Sequence, residues 1–337
     1  MSIRRLLLAG WLAVCSVLGG AVAAADRAEQ QVERQREQPL NNAPVWREVR
    51  SGDPGVTQVR GRETGVLIQS AGETWRVVRN GPVTLIGGWL LILVPIAILG
   101  FYKVSGPMRL HGKPTGRTIE RFTPWERIVH WSAASTFVIL AISGILLLLG
   151  KYFVLPVIGY SAFSLIASFS KSVHNFVGPL FIFCTAVMFF TFLRENLFRK
   201  IDLEWLRKAP QVLTGKAHVP TGKYNAAEKG WFWGGVALLG LIVGGSGLVL
   251  DFPNFDQTRL TMQVANITHA VGALLFVLAS FGHIYMGTIG TEGAFEAMRS
   301  GQVDETWARE HHELWYREVK SGSRARPAAG ASVKPVT

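Results

Sequence analysis

Apolar residues in this chain are gathered into five blocks, at 83–101, 128–149, 173–193, 231–250 and 264–286, and the charged residues are confined to the stretches between them. A block of about 20 apolar residues makes a helix about 30 Å long, the thickness of the hydrocarbon core of a bilayer. The pattern therefore predicts five membrane-spanning helices. Ahead of them, 1–25 has a basic start (Arg4, Arg5), a short apolar run and the small-residue ending Ala21-Val22-Ala23-Ala24-Ala25. This predicts a secretory leader cleaved after Ala23 or Ala25, with an uncleaved anchor helix as the alternative. The segment 26–81 is polar and then punctuated by glycine. Its alternating pieces Gly65-Val66-Leu67-Ile68-Gln69 and Thr74-Trp75-Arg76-Val77-Val78 predict a small hairpin, and its expected role is contact with a partner.

Charge sets an expected orientation. The loop 102–127 carries Lys103, Arg109, Lys113, Arg117, Arg121 and Arg127, and the loop 194–230 is similarly basic, whereas 150–172 has only Lys151 and Lys171 and 251–263 only Arg259. By the positive-inside rule the basic loops and the C-terminal tail are cytoplasmic and the N-terminal segment is periplasmic. Five crossings join the two sides, in agreement with the leader. The formal charge of +12 is thus placed where anionic headgroups meet it, and no nucleic acid partner is needed to explain it. Trp89, Trp125, Trp131, Trp231 and Trp233 fall near span ends, as an interfacial belt requires. The expected organisation is a leader at 1–25, a periplasmic segment at 26–81, an extra transmembrane helix at 82–102, a transmembrane bundle at 103–293 and a cytoplasmic tail at 294–337. The two cysteines, Cys15 in the leader and Cys184 in a span, offer no CxxC pair or c-type haem attachment motif.

The candidate chemistry is in the histidines. Four of the eight lie in spans: His130 at the cytoplasmic start of the second, His174 at the periplasmic start of the third, and His269 and His283 near opposite ends of the fifth. The last two are separated by about 21 Å of helix rise and face one side. Depth therefore pairs His174 with His269 and His130 with His283, one pair per leaflet. A haem iron held by two imidazoles suits such pairs, because it is six-coordinate and fit for electron transfer. Small residues near the ligands, Ala133, Ala134, Gly178, Gly272 and Gly287, would leave room for a porphyrin, although glycine and alanine also serve helix packing. A metal or small-molecule permease is an alternative from another class, as is a purely structural anchor. The apolar blocks contain no Asp or Glu, which weighs against a metal carrier or a proton-coupled carrier.

The matching stretches are Arg121-Phe122 with His130-Trp131, Val173-His174-Asn175-Phe176-Val177-Gly178, and Gly222-Lys223-Tyr224-Asn225-Ala226. They continue through His269-Ala270 and His283-Ile284-Tyr285-Met286 to Trp307-Ala308, His311-His312 and Trp315-Tyr316-Arg317-Glu318. With these stretches, the region 118–320 resembles the gamma subunit of membrane-bound respiratory formate dehydrogenases, a four-helix cytochrome b. The resemblance implies an all-α integral membrane protein of the bacterial inner membrane, with a four-helix haem-bearing transmembrane bundle plus one extra N-terminal transmembrane helix. It implies two haem b groups, the periplasmic one liganded by His174 and His269 and the cytoplasmic one by His130 and His283. A quinone, the electron acceptor, would bind near Asn225, Ala227 and His283. The implied partners are an iron–sulfur (beta) subunit and a molybdenum or tungsten catalytic (alpha) subunit that oxidises formate, so this chain would be the quinone-reducing membrane subunit. A cytochrome b of a hydrogenase or another molybdo-oxidoreductase is the alternative within the class. The chain departs from the family at Ala227-Glu228, where a family member carries Gly and Gln, and at its front, since short family members start near Ile119 and lack the leader, the periplasmic segment and the first span; longer bacterial gamma subunits are similar to this chain. His311-His312 reads as solvated or packed against a partner rather than as a metal site. The amphipathic stretch 294–319 is expected on the membrane surface or folded back on the basic loops.

Overall fold

The computed structural model describes residues 33, 46–47, 50–51, 70–213 and 217–322. The leader, most of 26–81 and the end of the tail lie outside the described residues. The chain divides into two compact units, Met1–Val78 with Asp256–Gln263, and Arg79–Phe255 with Val264–Thr337. In the first, Ser70–Val78 is a helix, α1, with an ion pair between Arg76 and Glu73 at 2.7 Å. The expected second strand of a hairpin at Thr74–Val78 is therefore helical. The acidic Glu73 sits in the first turn and the basic Arg76 in the last, which favours helix at both ends and adds a one-turn pair.

Among the described residues, five helices are long and apolar enough to cross a membrane. In the second unit a π-helical turn at Arg79–Val83, containing Pro82, leads into α2, Thr84–Ser105. A three-residue strand β1, Thr118–Glu120, precedes α3, Pro124–Phe153. Helix α3 starts where it does because Thr123 and Glu126 form a reciprocal capping box around Pro124. Helix α4, Leu155–Phe192, follows at once. The stretch 150–172, expected to connect spans, is thus almost entirely helix. It is apolar, and only Gly159, at φ 77°, breaks the helical geometry. Short helices α5, Lys200–Arg207, and α6, Ala209–Leu213, occupy the next loop. Helix α7, Ala226–Trp231, runs through a π-helical stretch, Phe232–Leu239, into α8, Gly240–Asp251. Helix α9 spans Arg259–Gly287.

Small residues let the helices approach closely, as lipid-embedded bundles require. A Cβ at Gly240 would lie 3.1 Å from Thr185 and one at Gly244 3.0 Å from Ile182, where α8 meets α4. Gly272 brings α9 against Ile242 and Val243 of α8, and Gly87 brings α2 against Leu274 of α9. The extra helix α2 is thus part of the bundle, and Phe101 and Tyr102 pack edge-on against Tyr285 of α9.

The C-terminal stretch folds back, the second of the two expected placements. After α10, Ala294–Arg299, strand β2, Gln302–Asp304, pairs antiparallel with β1, Val303 opposite Ile119. Helices α11, Glu305–His311, and α12, Glu313–Lys320, complete a cap with a core of Phe122, Val129, Phe192, Val303, Trp307 and Trp315. His312 is 2% exposed, and its Nδ1 donates to the Gly222 carbonyl at 2.8 Å, so it is packed within the chain rather than solvated.

Candidate functional site

The four span histidines meet in two pairs. His174 of α4 and His269 of α9 have ring centroids 6.0 Å apart with planes at 80°, and His130 of α3 and His283 of α9 have centroids 6.2 Å apart with planes at 51°. One helix, α9, supplies a ring to each pair. The separation is too long for stacked imidazoles and suits two rings on opposite sides of one ion. With each nitrogen about 2 Å from the metal and its ring centre roughly 1.2 Å further back, two such rings have centroids at most about 6.4 Å apart.

The environment of each ring bears on the same test. His269 Nδ1 lies 3.0 Å from the Val243 carbonyl, which only accepts, so Nδ1 carries the proton and Nε2 keeps its lone pair for a metal. His174 Nδ1 lies 2.9 Å from Ser143 Oγ. Two glycines unnoticed in the sequence make room for these rings. A Cβ at Gly144 would sit 3.2 Å from His174 Cε1, and one at Gly247 3.2 Å from His269 Cε1. Of the glycines expected to flank the ligands, Gly272 instead packs against α8, while Gly178 and Gly287 have open space at the Cβ position. In the other pair, His130 Nδ1 is buried without a hydrogen-bond partner, and His283 stacks on Trp231 with centroids 4.8 Å apart and planes at 12°. Trp231 therefore lies against a candidate ligand rather than in an interfacial belt. Trp233 likewise turns inward, its indole donating to the Asn196 carbonyl.

Among the described residues no three His, Cys, Asp or Glu side chains gather as a bare-metal site would need. Paired imidazoles alone suit a metal whose other ligands come from a macrocycle. The residues present fit haem in donor type, separation and tautomer.

Near the His130/His283 pair lies a charged layer. Arg121 donates to the Lys223 carbonyl at 2.8 Å and to Glu228 Oε1 at 2.9 Å, while the Lys223 ammonium meets Glu126 at 2.6 Å and Glu195 at 3.0 Å. Asn225 caps α7, its Oδ1 accepting from the Ala227 and Glu228 amides. That leaves its Nδ2 as the group able to donate to a bound carbonyl, and Ala227 beside it is exposed.

Comparison with known proteins gives a consistent picture. A family described as prokaryotic cytochrome b561 matches residues 121–301. The chain is similar to the cytochrome b556(fdo) subunit of formate dehydrogenase from Escherichia coli (strain K12), at 30% identity over 206 residues, covering 60% of this chain and 94% of that protein. It is also similar to the nitrate-inducible cytochrome b556(Fdn) subunit of the same organism, at 30% identity with 58% and 88% covered. The cytochrome b556 subunit of Haemophilus influenzae Rd is 26% identical, with 60% and 83% covered.

Proposed function

The chain belongs to the prokaryotic cytochrome b561 family, and on that premise we propose that it is the dihaem cytochrome b subunit of a respiratory formate dehydrogenase, carrying electrons across the bacterial inner membrane to a quinone. The observation that carries this reading is the pairing of four span histidines into two facing couples, with centroids 6.0 and 6.2 Å apart, on a shared helix. Similarity to named formate dehydrogenase cytochrome subunits supports formate as the source of the electrons.

His174 and His269 would hold one haem b, and His130 and His283 the other. Haem held by two imidazoles supplies one-electron transfer with no iron position open to oxygen. The chain's own groups do the rest. The Val243 carbonyl and the Ser143 hydroxyl hold the His269 and His174 rings in one tautomer and orientation. The Asn225 amide would donate to a quinone carbonyl beside the His130/His283 pair, with exposed Ala227 leaving that approach clear. The Asn225 cap keeps this amide in place.

The charge of the basic loops supports a cytoplasmic His130/His283 end and a periplasmic His174/His269 end. A periplasmic iron–sulfur subunit would deliver electrons from a molybdenum- or tungsten-containing catalytic subunit, and protons for the quinone would come from the cytoplasm. Each charge so moved stores about 2.3 kcal/mol per 100 mV.

The test is a redox titration of haem spectra in membranes, with His130, His174, His269 and His283 replaced in turn by alanine and with formate and hydrogen compared as donors. Two haems in the parent, one in each variant, and reduction by formate are expected. Membranes without reducible haem bands, or a His269→Ala variant retaining both haems, would overturn the reading. Reduction by hydrogen alone would move the chain to a hydrogenase.

A further inference from the structure

The two histidine pairs differ in what holds their second ring nitrogens. Ser143 Oγ is 2.9 Å from the Ile139 carbonyl and 3.2 Å from the Leu140 carbonyl, so its single proton is given back to its own helix. With its proton so placed, the hydroxyl accepts at 2.9 Å from the Nδ1–H of a His174 whose Nε2 is left for a metal. Ser246 repeats the arrangement. Its hydroxyl donates to the Ile242 carbonyl at 2.6 Å and stands 3.3 Å from His269 Nδ1, beside the Val243 carbonyl at 3.0 Å.

The sequence uses one device twice. Ser143-Gly144 on α3 and Ser246-Gly247 on α8 each put an acceptor hydroxyl at a ring nitrogen and, in the next residue, the missing Cβ that leaves space for the same ring. Ser143 is 5% exposed, so this acceptor is screened from solvent. Nothing corresponds at the other pair. His130 Nδ1 is buried without a partner, and among the described residues neither ring nitrogen of His283 has a hydrogen-bond partner.

An imidazole that donates its Nδ1–H is a more basic ligand, which favours the oxidised iron and lowers its reduction potential. We propose that Ser143 and Ser246 are positioning residues that set the His174/His269 iron to a lower potential than the His130/His283 iron, so that an electron passes downhill from the first to the second. The transfer moves one electron, reducing the second iron as the first is oxidised, with no bond or proton changed. The inference rests on the dihaem reading above and adds to it the residues that order the two potentials.

The experiment is potentiometric titration of the intact membrane complex, following the haem alpha bands in the parent and in Ser143→Ala, Ser246→Ala and Ser143→Thr. His269→Ala assigns the waves, since the one it removes belongs to the His174/His269 pair. That wave is expected to be the lower. In Ser143→Ala it should move upward by an order of tenfold in the oxidised-to-reduced ratio at fixed potential, about 59 mV for one electron, and in Ser246→Ala, where the Val243 carbonyl still accepts from His269 Nδ1, in the same direction by less. The upper wave should stay in place, and Ser143→Thr, which keeps the hydroxyl, should titrate like the parent. Loss of the lower haem in Ser143→Ala with retention in Ser143→Thr would also support the hydroxyl's role. A lower wave that belongs to His130/His283, or alanine variants with two haems and unmoved potentials, would overturn the inference while leaving the dihaem reading intact. A parent without two titrating haems would instead remove that reading.

Discussion

The ring of Phe276 lies 4.8 Å from that of Phe137, at the level of the bundle midway between the two histidine pairs. Phe276 is seven residues from both His269 and His283, and Phe137 and Phe181 each follow a histidine by seven, so all three project from the ligand-bearing faces two turns on. Phe181 completes the group, with centroids 6.1 and 6.2 Å from the other two, and it and Phe276 are 5% exposed. Three rings thus close the interior between the pairs, which would let electrons pass while excluding water. Phe276→Ala should cost about 3–5 kcal/mol through the cavity it leaves, and should raise the passive proton conductance of proteoliposomes. Phe276→Leu should raise it far less. Equal conductance in the parent and the alanine variant would remove the barrier role.

Space beside the ligands should be as decisive as the ligands. A side chain at Gly247 or Gly144 begins 3.2 Å from the Cε1 of His269 or His174, and neither ring can retreat without leaving its Nδ1 acceptor. On the dihaem reading proposed above, Gly247→Leu is expected to lower the haem content from two to one per chain, with the spectrum of the haem assigned to His130/His283 unchanged. Pyridine haemochrome assay against protein mass measures this, and a variant that kept both haems would show that the ring has more freedom than the contacts allow.

The five helices and the depth pairing of the histidines were legible in sequence because both follow from periodicity: a bilayer fixes helix length, and a 14-residue spacing fixes which face is shared. The helix at Ser70–Val78 was missed because an alternating Thr-Trp-Arg-Val-Val piece reads as strand until its flanking charges are weighed. The extent of α3 and α4 was missed because a loop was inferred from the distance between apolar peaks, whereas helix continues through 150–172 without a charged interruption other than two lysines. Gly144 and Gly247 were invisible for a different reason. They serve histidines on other helices, at sequence separations that no local spacing reveals. The position of Trp231 near a span end reads as an interfacial belt, whereas in the fold its ring stacks on His283 of α9.

The loop layer contains one pair whose separation should be costly. Lys229 and Asp202 meet at 2.7 Å with 4% of each side chain exposed, and Asp202 also accepts from the Arg199 amide at 2.6 Å as part of the cap of α5. Lys229→Met leaves a buried carboxylate without its countercharge, at a cost of about 3–5 kcal/mol. Combining it with Asp202→Asn, which keeps an acceptor for the cap, should restore most of the loss. Thermal unfolding in nanodiscs measures both, and a double variant no more stable than Lys229→Met would show that the cost lies elsewhere.

Acid should loosen the C-terminal cap through His312. Burial, reinforced by the nearby Arg121 guanidinium, pushes this imidazole from 6.5 down to about 3. Above pH 6.5 the ring is neutral both folded and unfolded, so its packing carries no protonation cost. Below that value the unfolded chain binds a proton that the folded cap refuses, and stability falls by about 1.4 kcal/mol per pH unit until the folded group titrates. Burial pushes the Asp304 and Glu310 carboxyls up, but backbone amides hold both below the usual range, and Lys320 holds Glu305 down; these acids add their own loss only at lower pH. The window from about 6.5 to 4.5 therefore belongs to the histidines, and across it His312 alone should cost about 2.7 kcal/mol. His311 is pushed down by burial in the same sense, so His312→Gln, whose amide can still donate to the Gly222 carbonyl, should shrink the slope rather than abolish it. Trp307, with its ring centroid 5.1 Å from His312, supplies a fluorescence signal for unfolding of the cap by denaturant at each pH. A parent and variant with the same slope across that window would mean that His312 is not the group that titrates.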